Sequence, residues 1–125
     1  MKTKNIIIIA LSMIFLALIF TNKATNYDTW QDDSTKFTSS QIDDAMKIVE
    51  SYLHETWDTC YINQIWYEDE TSNRMLTNED NPENRIVLLS NLYDYFDKIE
   101  YPNFAWYLEY DKNSHNWKIV SYGYA

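Results

Sequence analysis

The sequence predicts an α+β fold: one long N-terminal amphipathic helix packed on a curved antiparallel sheet of about four strands, preceded by an apolar signal or anchor helix. Three observations carry this. Ile42, Ala45, Met46, Val49, Leu53 and Trp57 recur at spacings of three and four, which places them on one helix face. After Trp57 the pattern changes to short runs of β-branched and aromatic residues with turn residues between them. At the N-terminus, Ile6–Phe20 reads IIIIALSMIFLALIF, with Ser12 as its only polar member.

Lys2 and Lys4 precede that apolar run. A helix of this length rises about 22 Å, short of the roughly 30 Å hydrocarbon core, so length favours a secretory signal. The cleavage site argues the other way. A cut after Ala24 puts Asn22 at the −3 position, where a small residue is wanted. Tilt and local thinning let short spans persist as anchors. The two readings, cleaved peptide and uncleaved anchor, stand level, and both place residues 26–125 outside the cytoplasm, secreted or held at the membrane by residues 6–20. The division is then 1–25 signal or anchor, 26–36 polar tether and 37–125 folded domain.

The domain helix opens on Thr38-Ser39-Ser40-Gln41, a capping-box pattern, with Phe37 and Ile42 placed as a hydrophobic staple around it. Asp43 and Asp44 follow, where negative charge complements the helix dipole. The helix is expected over 39–57. Cys60–Tyr67 reads as a strand, and residues 68–84 as a long polar loop containing Pro82. Arg85–Leu92 is apolar on both alternating faces, as in a central strand covered on both sides, with a short helix as the alternative. Tyr93–Pro102 is ambiguous, with Pro102 as its end. Asn103–Tyr110 puts Phe104, Trp106, Leu108 and Tyr110 on one face, and a turn at 111–115 leads to the last strand, Trp117–Tyr124. Gly123, the one glycine, is expected at a bend or bulge.

Composition excludes several chemistries. One glycine cannot build a P-loop or a dinucleotide fingerprint. No paired-Cys zinc pattern, no His-Glu-x-x-His and no EF-hand spacing occurs, so no metal, cofactor or catalytic residue is assigned. Residues 26–125 carry seven basic against nineteen acidic residues, a net −12 that disfavours nucleic acid and anionic lipid as partners. The lone Cys60 cannot form an internal disulfide, and it reads as a small buried hydrophobe rather than a nucleophile with His54. The acids Glu68, Asp69, Glu70, Glu79, Asp80 and Glu83 read as a solvated loop ahead of a calcium site. His115 belongs to an exposed turn.

The strongest functional hint is aromatic surplus. Twenty-one aromatics, eleven of them Tyr, exceed what a domain of this size can bury. The candidate ligand-binding residues are Trp66, Tyr67, Glu68, Trp106, Glu109 and Tyr122.

The ordered motifs FTSSQI, TCYINQIWYEDE, NRIVLLSNL, FAWYLEY and NWKIVSYGYA together resemble the domain of unknown function 4829 family of small bacterial extracytoplasmic domains. The resemblance spans residues 37–124 and implies a cone-shaped roll similar to nuclear transport factor two and cystatin. It implies no activity and carries over no functional residue. The chain departs from the pattern at Tyr93–Pro102, which is more aromatic and acidic than expected, and it has no lipobox cysteine near residue 20.

The leading expectation is a non-enzymatic binding or accessory module for a peptide, protein or small ligand. One alternative is a cone-fold enzyme with a buried carboxylate, for which Glu109, Glu68, His54 and Tyr67 are the candidates. Another is an acidic immunity or inhibitor protein that neutralises a basic partner.

Overall fold

The computed structural model describes residues 27–124, in which one sheet carries a helix on each face. The first element is a strand, β1 (Asp28–Gln31), and α1 (Ser39–Thr56) follows it. Next come β2 (Cys60–Tyr67), α2 (Asp69–Met75), a 3-10 turn at Pro82–Asn84, β3 (Arg85–Asp94), β4 (Ile99–Asp111) and β5 (Asn116–Tyr124). The strands lie side by side in sequence order. β1 runs parallel to β2, and all other pairs are antiparallel.

This corrects the expected fold class. The sheet is five-stranded and mixed, not a four-stranded antiparallel roll. No long helix stands at the N-terminal end of the described chain, because β1 comes first. A parallel pair needs a crossover of a dozen or more residues, and α1 is that crossover between β1 and β2. The segment expected as a tether therefore supplies an edge strand, and the expected loop after Tyr67 supplies the second helix. The apolar helix expected at 6–20 lies outside the described residues. Among the described residues no helix is long and apolar enough to cross a membrane.

Local chemistry explains α1. Thr38 Oγ1 accepts from the Gln41 N–H at 3.2 Å while Gln41 Oε1 accepts from the Thr38 N–H at 2.9 Å, which completes the capping box. Phe37 and Ile42 are buried on either side of that cap. Ile42, Ala45, Met46, Val49 and Leu53 face the sheet. They pack with Ile62, Ile65 and Tyr67 of β2, Ile86, Leu88 and Leu92 of β3, Trp106 and Leu108 of β4 and Trp117 of β5. Trp117 Nε1–H donates to the Gln41 carbonyl at 2.8 Å and ties β5 to the first turn of α1. The alternate residues form a smaller core on the other face, where Val87, Leu89 and Ala105 meet Leu76 beside α2. α2 has no apolar stripe of its own. Its buried Ser72 accepts the Val87 N–H at 2.9 Å, which pins it to β3.

Three bulges bend the sheet. Asn63 is the extra residue of β2, Pro102 and Asn103 together oppose Asn91, and Val120 is the extra residue of β5. Pro102 thus sits inside a strand rather than at its end. A bulge tolerates the missing donor, and Asn103 absorbs the turn with φ of 52° while its N–H reaches Asn91 Oδ1 at 3.1 Å. Gly123 is not at a bulge. It pairs regularly with Ala105, and a Cβ added there meets nothing within 4 Å.

Both long hairpins close in the same way. Asp94 opens a four-residue loop ending at Lys98, and Asp111 opens one ending at His115. Asp94 Oδ1 accepts the N–H groups of Phe96 and Asp97, and Asp111 Oδ1 accepts that of Asn113. Lys98 and His115 each take positive φ at the loop end.

Candidate functional site

The two faces of the sheet are not covered equally along their length. α1 has 18 residues and so rises about 27 Å, whereas β4 has 13 residues and extends about 43 Å. The strands overhang the end of the helix. Under that overhang lies a cavity of about 430 Å³ lined by Trp57, Cys60, Leu92, Asp94, Tyr101, Phe104, Tyr122 and Gly123.

Each wall has a local cause. Trp57 is the residue at which α1 ends, its N–H still bonded to the Leu53 carbonyl at 2.8 Å, so its ring projects from the helix terminus. Phe104 and Tyr101 flank the Pro102–Asn103 bulge, and Leu92 faces them from β3. Tyr122 stands beside Trp106 on β5. The Trp57 ring is nearly perpendicular to Phe104 (88°, centroids 6.4 Å apart) and to Tyr122 (89°, 5.1 Å). Tyr101 closes the other side at 77° to Phe104. Trp106 lies beneath, fully buried and in ring contact with Trp57, Phe104 and Tyr122. Its Nε1–H donates to Ser90 Oγ at 2.9 Å, and Ser90 in turn donates to the Phe104 carbonyl at 2.9 Å.

One charge belongs to this aromatic box. Asp94 is buried, at 8% exposure. Burial is the largest influence on its carboxyl and pushes it up. The Asp97 amide, the Thr59 hydroxyl, the Phe96 amide and the Cys60 thiol together outweigh burial and hold it below the usual carboxylate range. Burial first, and then the Asp94 charge, push the Cys60 thiol up. The thiol is therefore held protonated near neutral pH, which argues against a nucleophile. Burial and Asp94 likewise raise Tyr101, and the bond with Tyr52 raises Tyr122. The lining holds one ionised carboxylate and no lysine, arginine or histidine. Among the described residues the ion pairs join Arg85 to Glu79 and Glu109, and neither involves Asp94.

The residues expected as ligand contacts fall in different places. Tyr122 lines the cavity, and Trp106 supports it from below. Trp66 is on the opposite sheet face, stacked on Trp30 with 6.1 Å between centroids and 13° between planes. Tyr67 is wholly buried, with its hydroxyl on Asp69 Oδ1, and burial followed by that bond pushes it up to about 12. Glu68 precedes α2 and accepts from Thr71, while Glu109 pairs with Arg85 at 3.6 Å. The four groups considered for catalysis do not converge. His54 is exposed at a second, more polar hollow of about 270 Å³, where Tyr27 donates to Glu50 Oε2 at 3.0 Å. Cys60 stands between the two hollows. Of the acids expected in a loop, Asp69 and Glu70 begin α2, and no group of three or more His, Cys, Asp or Glu among the described residues could hold a metal.

Sequence reasoning missed Leu92, Asp94, Tyr101 and Phe104 as cavity residues, and it left Trp57 as a helix-face residue. The aromatic, acidic character of Tyr93–Pro102 was their one visible signal. Comparison of the chain with family models, curated proteins and solved structures finds no match, so the reading of this site rests on its geometry.

Proposed function

We propose that the domain is a binding module that takes an apolar group of a small ligand into the cavity at the end of α1. The observation that carries this is the cavity itself, about 430 Å³ walled by Trp57, Tyr101, Phe104 and Tyr122. Ligand sites are concave and mostly apolar, with a few polar groups, and this volume is in their usual range of about 300–1,000 Å³. Four aromatic rings in the lining suit shape-selective contact with an apolar group. Binding is favoured over catalysis by the protonation states. The thiol and the phenols are held neutral and the carboxylate ionised, so the lining holds no group poised to exchange a proton near neutral pH. The acidic surface and the apolar run Ile6–Phe20 support a module that works outside the cytoplasm.

The test is a titration with tert-butylethanol, a compact apolar alcohol, followed by amide and indole NMR shifts. The expected result is saturable binding in the millimolar range, with shifts at Trp57, Leu92, Phe104 and Tyr122. Tyr122 is 41% exposed, so Tyr122→Ala folds, and it weakens binding by about fivefold through loss of one aromatic wall. Shifts confined to the opposite sheet face, or none at all, would overturn the proposal.

A further inference from the structure

We infer that the cavity's ligand is a quaternary alkylammonium cation, recognised by the rings of Trp57, Tyr101, Phe104 and Tyr122 beside the Asp94 carboxylate. This rests on the cavity being the binding site and adds the chemistry of what enters it.

Two observations converge on that class. The first is charge without a partner. Asp94 is buried at the cavity with no basic side chain in the lining and no ion pair among the described residues. Its field therefore acts on whatever occupies the cavity. Aromatic rings attract cations in their own right. A neutral occupant would leave both attractions unused, and an anion would be repelled.

The second observation selects among cations. Both hydrogen bonds that Asp94 receives fall on Oδ1, from the Phe96 N–H at 2.9 Å and the Asp97 N–H at 3.2 Å, so one oxygen of the carboxylate is committed to the turn. The cavity thus offers negative charge with few acceptors at its source. A primary ammonium or a guanidinium carries three or more N–H donors, and in an aromatic lining most of them would be stripped of water and left unpaired, at substantial cost. A quaternary ammonium has no N–H to satisfy. Its methyl groups pack on ring faces, and its charge is spread over them. The net −12 of residues 26–125 raises the local concentration of any cation and assists its entry.

Three probes of similar size test this on the folded domain: choline, its neutral carbon isostere tert-butylethanol, and n-butylammonium. Choline is expected to bind about tenfold tighter than the alcohol and tighter than n-butylammonium. Asp94→Asn keeps an oxygen for the turn amides, and it is expected to weaken choline at least about fivefold while leaving the alcohol within about twofold. Because Asp94 also closes a hairpin, Tyr101→Leu is the second variant. It keeps apolar volume, removes one π face and should narrow the choline preference without abolishing alcohol binding. Equal affinity for choline and the alcohol would overturn the cation inference and leave the cavity reading intact. Tighter binding of n-butylammonium would overturn the argument from scarce acceptors. Failure of all three probes to bind would overturn both readings.

Discussion

Replacing Ser90 by Ala removes one oxygen from the protein, yet it should unsettle the whole aromatic floor. Ser90 is fully buried on β3 and its Oγ is a relay, accepting from Trp106 Nε1–H and donating to the Phe104 carbonyl, both at 2.9 Å. Alanine takes the Ser90 partner away from a buried indole N–H and a part-buried carbonyl. An unsatisfied buried polar group costs about 1–3 kcal/mol, so the two together should cost about 2–6 kcal/mol. For a domain whose total stability is roughly 5–15 kcal/mol, that is a large share. At about 4–8 °C per kcal/mol, a loss near 3 kcal/mol lowers Tm by about 12–24 °C. Urea unfolding followed by far-ultraviolet circular dichroism reads it directly, as a lower midpoint with an unchanged slope. Trp106→Phe removes the donor instead, and the double variant closes a cycle in which a coupling of at least about 1 kcal/mol is expected. A Ser90→Ala loss below about 0.5 kcal/mol, or additive single losses, would show that the relay contributes nothing and that the floor is held by ring packing alone.

Two further outcomes follow from the hairpins. Lys98 holds φ of 57° in an exposed loop, a conformation that costs a non-glycine residue about 1–2 kcal/mol. After subtracting glycine's own entropy cost of about 0.5–1 kcal/mol, Lys98→Gly should stabilise by about 0.5–1 kcal/mol and raise Tm by about 2–8 °C, and an unchanged Tm would count against the strain. The Asp94 carboxyl is depressed on folding from its ordinary value of 3.8, so its contribution is present above that pH and is lost as pH falls through the lower folded value. The stability gap between the native protein and Asp94→Asn should therefore be constant from neutral pH to about 5 and shrink on acidification below about 4. A gap independent of pH would sink that reading.

How much of this was legible depended on the range of the interaction that decides each element. The capping box Thr38–Gln41 and the stripe from Ile42 to Leu53 are local, and the structure shows both as expected. The alternation of Phe104, Trp106 and Leu108 against Ala105 and Tyr107 is local too, and the two sets fall in separate cores. β1 was not legible. Asp28-Thr29-Trp30-Gln31 has no alternating apolar pattern, and it becomes a strand by parallel pairing with Gln64–Tyr67, where Trp30 stacks on Trp66. α2 was not legible for a related reason. DETSNRM has no helical apolar face, and it is placed by Ser72 reaching Val87 and by the following Leu76 burying against β3.

The missed site has a single physical origin, the treatment of Pro102 as a terminator. Proline lacks a ladder donor, and inside a regular central strand it would leave an acceptor unpaired, so ending the strand there follows the ordinary rule. With Pro102 as an end, residues 93–102 stay ambiguous, no sheet is assigned past Trp57, and there is nothing for a cavity to form under. The bulge reverses each step. Pro102 and Asn103 share one partner, Asn91, so the absent N–H falls where the ladder is already interrupted. Asn tolerates the left-handed backbone that follows, and its side-chain neighbour Asn91 takes up the Asn103 N–H. β4 then continues to Ile99, and Tyr101 and Phe104 face the same side across the bulge. Asp94 is set at the overhanging end by the turn it closes. The aromatic and acidic excess between Tyr93 and Pro102 is thus the composition of a strand pair that outruns its covering helix. Where such a pair sets aromatic rings around one ionised carboxylate, an apolar cation fits that surface better than a neutral or anionic group.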